Sequence, residues 1–158
     1  TMKKLLLILL CLPMIGFGQQ FSIKELKSLS NIDSESFEIL SMKQGYTFYE
    51  IKKSDSGTYD GITMQYFDGK EISRYITWYS KFYDNKRSIN YQTSLESELI
   101  GIYEELKSLG FTLITREKIE LDKEEYYLKV YKTKDKKEKV EIYIKTEKEW
   151  IEISYSEY

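Results

Sequence analysis

Gly45-Tyr46-Thr47-Phe48 recurs as Gly110-Phe111-Thr112-Leu113, and the stretches around the two copies follow one order. From about Asp33 to Thr93 a helix-like run is followed by the Gly-aromatic-Thr step and four strand-like runs. From Leu95 to Tyr158 the same order returns. Tyr75-Ile76 matches Tyr143-Ile144, and Ile89-Asn90-Tyr91 matches Ile153-Ser154-Tyr155. An internal repeat constrains the architecture before any local assignment is made. It predicts an α+β protein built from two tandem helix–four-strand antiparallel units, with helices packed on one face of an open sheet. One helix cannot cover both faces of four strands, so the other face is expected to stay open, in one continuous sheet or two paired ones.

Local signals agree with this plan. Ser22-Ile23-Lys24-Glu25 is a capping-box pattern, and Ile23, Leu26 and Leu29 follow at helical spacing. Asp33 can cap a second helix that carries Phe37 and Leu40 and stops at Gly45, where a positive φ is needed. Strands are expected over 46–53, 62–67, 72–83 and 88–93. Asp68-Gly69-Lys70 reads as a hairpin turn, with Asp-Gly suited to type I′ geometry. In the second unit Leu95, Leu99, Ile102, Leu106 and Leu109 form one apolar stripe. Thr93 with Glu96 is a candidate capping box for it, and Gly110 is its stop. Strands are expected over 111–121, 125–133, 139–146 and 149–156. The dense Lys and Glu residues here read as a solvated sheet edge and solvated turns.

The first residues read as an export leader. Met2-Lys3-Lys4 is basic, Leu5 to Leu12 is apolar and too short to span a bilayer, and Gly16-Phe17-Gly18 places small residues before Gln19. The domain reading is a leader at 2–18, a helical lead plus the first unit at 19–93, and the second unit at 94–158. The expected location is the periplasm or the extracellular space, with no stable membrane span left in the mature chain. Cys11, the one cysteine, follows Ile8-Leu9-Leu10, whereas a lipidation site needs a small residue before it. Without it the mature chain forms no disulfide, and about 140 residues suffice to bury a core without one.

Composition limits the chemistry. There is no histidine, which removes the commonest general base and metal ligand. No glycine-rich phosphate loop and no Gly-x-Ser-x-Gly elbow occurs. Paired carboxylates of the glycosidase type remain open in principle, but the Glu residues mostly accompany Lys in turns. Asp55 and Asp60, near Gly57 and Gly61, lack the ligand spacing of an EF-hand and read as a turn. The expectation is therefore no enzyme, no cofactor and no metal. Loss of Lys3 and Lys4 with the leader takes the 24 basic residues to 22 against 26 acidic ones, a charge of −4. A weakly acidic chain with three arginines is a poor nucleic-acid binder.

The functional promise lies in 15 tyrosines, 7 phenylalanines and 2 tryptophans. Strand parity sorts them. Val140, Ile142, Ile144, Leu128, Val130, Ile151 and Ile153 are taken to face the helices. Tyr127, Tyr131, Tyr143 and Trp150 then fall on the open face, and the repeat correspondence puts Phe67, Tyr75 and Tyr79 there with them. Tyr and Trp are enriched in binding hot spots, yet they also stabilise exposed strands through cross-strand pairs. The leading expectation is an exported, non-enzymatic binding module with a protein or peptide partner of the cell envelope on this face. The alternative is a small-ligand carrier with a pocket between helix and sheet. An envelope structural subunit would use the same face.

The leader ending Gly16-Phe17-Gly18-Gln19 and the Lys/Tyr/Ile-rich mature chain resemble small exported proteins of the Bacteroidota. Leu29-Ser30-Asn31-Ile32-Asp33, Phe37 and Gly45-Tyr46 are similar to flavobacterial secreted proteins, a resemblance that implies no known activity. The tandem plan also resembles, in architecture, the β-lactamase inhibitor protein and the PepSY-like proteins. The inhibitor's disulfides and a clear PepSY motif are lacking, so neither an activity nor a site residue carries over.

The leader makes a direct prediction. The exported protein should begin at Gln19 or Gln20, as read from its intact mass. A mass that retains residues 2–18, or includes acyl chains on Cys11, overturns soluble export.

Overall fold

The computed structural model describes residues 20–53, 59–80, 87–147 and 150–157. The leader, the Asp55-Ser56-Gly57 turn with its candidate calcium site, and the Asp84-Asn85-Lys86 turn lie outside them. Three helices and eight strands follow in order: α1 (Ile23–Ser30), α2 (Ser34–Lys43), β1 (Thr47–Lys53), β2 (Tyr59–Phe67), β3 (Ile72–Tyr79), β4 (Arg87–Thr93), α3 (Ser97–Ser108), β5 (Thr112–Leu121), β6 (Glu124–Lys132), β7 (Glu138–Lys145) and β8 (Ile151–Glu157).

The first two helices start where their side chains can satisfy orphan N–H groups. Ser22 and Glu25 form a complete capping box on α1, and the Asp33 carboxylate accepts from the Ser36 N–H at the start of α2. A further cap comes from far away in sequence. The Glu105 carboxylate of α3 accepts from the N–H groups of Ile23 and Lys24, at 2.7 and 3.2 Å. Both helix-to-strand steps use the same device. Gly45 and Gly110 adopt φ of +88° and +79°, and the following Tyr46 and Phe111 N–H groups donate back to Ser41 and Leu106 carbonyls. The Thr47 and Thr112 hydroxyls then donate to Gln65 and Lys132 carbonyls on the neighbouring strands. A bulge follows in each first strand, at Phe48/Glu50 and at Leu113/Thr115.

The second unit's helix starts differently from expectation. α3 begins after Glu96, which makes no side-chain cap. Thr93 is buried in β4, and its hydroxyl accepts from the Leu95 N–H, so the Thr93/Glu96 capping box does not form. Leu95, placed in the buried stripe by its spacing, is exposed ahead of the helix. The turns also differ. In the Asp68–Gly69 loop only Gly69 has positive φ, and Asp68 instead accepts from the Lys70 and Glu71 N–H groups. The two-residue turn with both residues at positive φ is Asp122-Lys123, at 51° and 67°. It fixes the register of β5 on β6, with Leu121 opposite Glu124.

All eight strands join one antiparallel sheet in the order β1-β2-β3-β4-β8-β7-β6-β5. Neighbours in sequence pair as hairpins except at the centre, where β4 pairs with β8 over seven residues, from Arg87 opposite Glu157 to Thr93 opposite Ile151. The core lies on one face. Ile62, Met64, Ile76, Ile89, Tyr91, Val140, Ile142, Ile151, Ile153 and Tyr155 meet Phe21, Ile23, Leu26, Phe37, Ile102 and Leu106. α1 lies across β4 and β8, over the central seam. α2 lies over β1 and β2.

Within this core sits a charged pair. Arg74 of β3 donates through Nε and Nη2 to Glu98 Oε1 of α3, at 2.9 and 2.6 Å. The Tyr91 hydroxyl donates to Glu98 Oε2 at 2.7 Å, and the Tyr66 ring lies 5.3 Å from the guanidinium. Desolvation pulls the Arg74 pKa down, and the hydrogen bond to Glu98 with the charges of Tyr91 and Glu98 outweighs it, so the net direction is up. Burial pushes the Tyr91 phenol far up, so it stays a donor. Glu98→Ala should destabilise the protein by about 3–5 kcal/mol, because Arg74 is left buried and unpaired. Urea unfolding measures this. Replacing Arg74 and Glu98 together with Met and Leu should cost much less, since no lone charge remains.

Candidate functional site

The face opposite the helices is built by strand alternation and fixed by register. Across the sheet one row runs Thr47, Gln65, Tyr75, Gln92, Glu152, Tyr143, Leu128 and Glu117. The next row runs Glu50, Thr63, Thr77, Asn90, Ser154, Glu141, Val130 and Thr115. Tyr75 and Tyr143 thus flank the central Gln92–Glu152 pair on either side.

Five of the seven residues singled out by parity lie on this side. Tyr75 is in ring contact with Trp150 at 5.6 Å and with Tyr49 at 5.3 Å. Tyr143 meets Tyr126 edge-on at 6.5 Å. Tyr79 accepts from the Asn90 amide at 3.5 Å and has the Lys52 ammonium 5.9 Å from its ring. Phe67 ends β2 beside a register shift and is 57% exposed, and it joins none of the ring pairs among the described residues.

Tyr127 and Tyr131 lie on the other side, and their assignment is corrected. They stand opposite Ile144 and Val140, which face the helices. Leu128 and Val130, read as inward, pair with Tyr143 and Glu141 on the open face. The reason is chemical. α3 offers β6 a tyrosine rather than an aliphatic residue. Tyr103 packs on the Tyr131 ring at 6.2 Å, and its hydroxyl accepts from the Lys129 ammonium at 2.7 Å. Tyr127 projects beyond this cover and is 49% exposed. Both alternating sets of β6 are amphipathic, so apolarity alone did not decide which faced the helices.

Parity missed Tyr49, Tyr126 and Gln92; it puts Lys145 beside Tyr143 and Glu152 beside Trp150 on the open face without marking either as a site residue. The available signals were Glu152 two residues after Trp150, and Tyr126 directly before the misassigned Tyr127. Glu152 is the organising group. Its Oε1 accepts from the Asn90 amide at 2.8 Å, and its Oε2 from the Gln92 amide at 2.7 Å. A pocket of about 220 Å³ opens beside it, lined by Tyr126, Tyr143, Trp150, Gln92, Glu152 and Lys145. The Lys145 ammonium pairs with Glu124 and lies 5.9 Å from the Tyr126 ring. Burial, and then the Glu141 carboxylate, raise the Tyr143 phenol. Burial, and then Glu152, push Tyr79 up to about 12.

Among the described residues no group of three or more carboxylates forms a candidate metal site, and no helix is long and apolar enough to cross a membrane. The arrangement offers rings, amides and a carboxylate on one face of a broad sheet. No family model, curated protein or solved structure matches the chain.

Tyr79 carries a pH prediction. Its folded pKa of about 12 lies above the ordinary 10, so the folded state holds the proton more tightly than the unfolded one. That contribution is complete below pH 10 and is lost as pH rises towards 12. Urea midpoints measured at stepped alkaline pH should fall across this window, and the decline should be shallower in Tyr79→Phe.

Proposed function

We propose that this chain is an exported, non-enzymatic binding module that holds a protein or peptide partner of the cell envelope on its open sheet face. The carrying observation is the ring chain Tyr49–Tyr75–Trp150 beside Tyr126–Tyr143, set around amide-held Glu152 on the side opposite the three described helices. Rigid aromatic side chains bury large area at low entropic cost and dominate interface energetics. The periplasmic or extracellular location rests on the leader at 2–18.

The carrier reading has less support. The space between helices and sheet is filled by Leu26, Phe37, Ile102, Leu106 and their neighbours, all buried, and the pocket described above opens on the opposite face. We also infer that the two halves are copies of one helix–four-strand unit. The matched glycine turns, threonine hydrogen bonds and first-strand bulges support it.

Tyr143→Ala combined with Trp150→Ala should weaken partner binding by about 2 kcal/mol or more and leave the melting temperature nearly unchanged. Quantitative pull-down from envelope extract, paired with thermal melts, measures both. Loss of stability with retained binding would assign these rings a structural role only.

A further inference from the structure

The open-face pocket contains a carboxylate that makes no ion pair with any described residue. Glu152 accepts two hydrogen bonds, both from neutral amides. Among the described residues no lysine or arginine pairs with it. The nearby cation, Lys145, is held by Glu124, and Lys139 by Glu141 at 2.9 Å. The carboxylate is therefore oriented by Asn90 and Gln92 and lines the pocket together with the rings of Tyr126, Tyr143 and Trp150. Its field is felt nearby. After the larger effect of burial, Glu152 contributes to raising the phenols of Tyr79, Tyr126 and Tyr143.

Aromatic rings and a carboxylate together select cations, because the ring quadrupole presents negative density to a positive guest. A neutral guest would leave Glu152 uncompensated as it lost water, and an anion would be repelled. Among cations of protein origin, arginine fits best. Each Glu152 oxygen already accepts one amide N–H and keeps a second lone pair. The planar guanidinium fork can address both oxygens while stacking on a ring, which an ammonium cannot. The net charge of −4 on the leaderless chain favours a basic partner.

We propose that the pocket takes an arginine side chain from the protein or peptide partner, with its guanidinium paired to Glu152 and stacked among Tyr126, Tyr143 and Trp150. This deepens the open-face reading and rests on it. The arginine is the anchor, and the rest of the face supplies complementarity.

The test uses the chain from Gln19 onward, which holds every described residue. A short Gly/Ser peptide with one central arginine is titrated against it, followed by the indole NMR signal of Trp150. The signal should shift saturably. The citrulline version, of the same shape without charge, should bind about tenfold more weakly or worse, as expected for loss of a charge-assisted hydrogen bond. Glu152→Gln should weaken the arginine peptide about tenfold without lowering the melting temperature, and added salt should weaken it too. Equal binding of arginine and citrulline peptides overturns the proposal. So does undiminished binding to a folded Glu152→Gln protein, or no saturable shift at about ten millimolar peptide. If the substitution unfolds the protein, the arginine–citrulline comparison on the wild type decides alone. If the envelope partner is lost with the Tyr143→Ala/Trp150→Ala pair yet binds Glu152→Gln normally, the open-face reading stands and the arginine anchor falls.

Discussion

The ladder between β4 and β8 is the interaction on which the rest of the structure depends. Every other strand pair joins neighbours in sequence, so each half can assemble its own four strands locally. Only the seven-residue pairing of Arg87–Thr93 with Ile151–Glu157 turns two four-stranded halves into one sheet. Among the described residues it leaves β1 and β5 at the edges of the sheet, each with a bulge near its start, a device that discourages further pairing. It also brings together the side chains on both faces: Ile89, Tyr91, Ile153 and Tyr155 beneath the helices, and Asn90, Gln92 and Glu152 on the open side.

The seam is secured from the helix side by α1. This short helix precedes both halves in sequence, yet its Ile23, Leu26 and Leu29 lie over the junction of the two. Eight residues form a marginal helix in isolation. Here a local capping box, the long-range carboxylate of Glu105 and a buried apolar face combine to hold it. The Arg74–Glu98–Tyr91 cluster works across the same boundary, linking β3 and β4 to the first turn of α3. Such a buried pair adds little net stability over an apolar substitute. What it adds is geometry: one orientation of α3 satisfies both charges and the tyrosine hydroxyl.

The open face follows from this arrangement. Because the three helices collect on one side, no other described element packs on the far side of the eight strands. Tyrosine suits such a surface, since its ring packs against neighbours while its hydroxyl remains hydrated. The Tyr49–Tyr75–Trp150 chain crosses from the edge strand to the centre, with contributions from both halves of the sequence. Glu152 lies at the meeting point, held by two amides of β4. The cluster of rings and amides around Glu152 is complete only when the two halves have joined.

Much of this was legible in the sequence, for local reasons. Ser22 with Glu25, Asp33, Gly45 and Gly110 mark helix ends through geometry that adjacent residues determine. Alternation put Tyr143 and Trp150 on the open face because Ile142, Ile144, Ile151 and Ile153 mark the other one, and the match of Tyr75-Ile76 to Tyr143-Ile144 took Tyr75 and Tyr79 to the same side. The face of β6 was not legible. Tyr126, Leu128 and Val130 alternate with Tyr127, Lys129 and Tyr131, and both sets can be buried. Register set by the Asp122-Lys123 turn and by pairing with β7 decided between them, and Tyr103 made the choice favourable. The central place of α1, the β4–β8 seam and the company that Glu152 keeps were likewise decided by tertiary structure. Each depends on groups far apart in the chain, and strand alternation says which face a side chain takes without saying which neighbour it will meet.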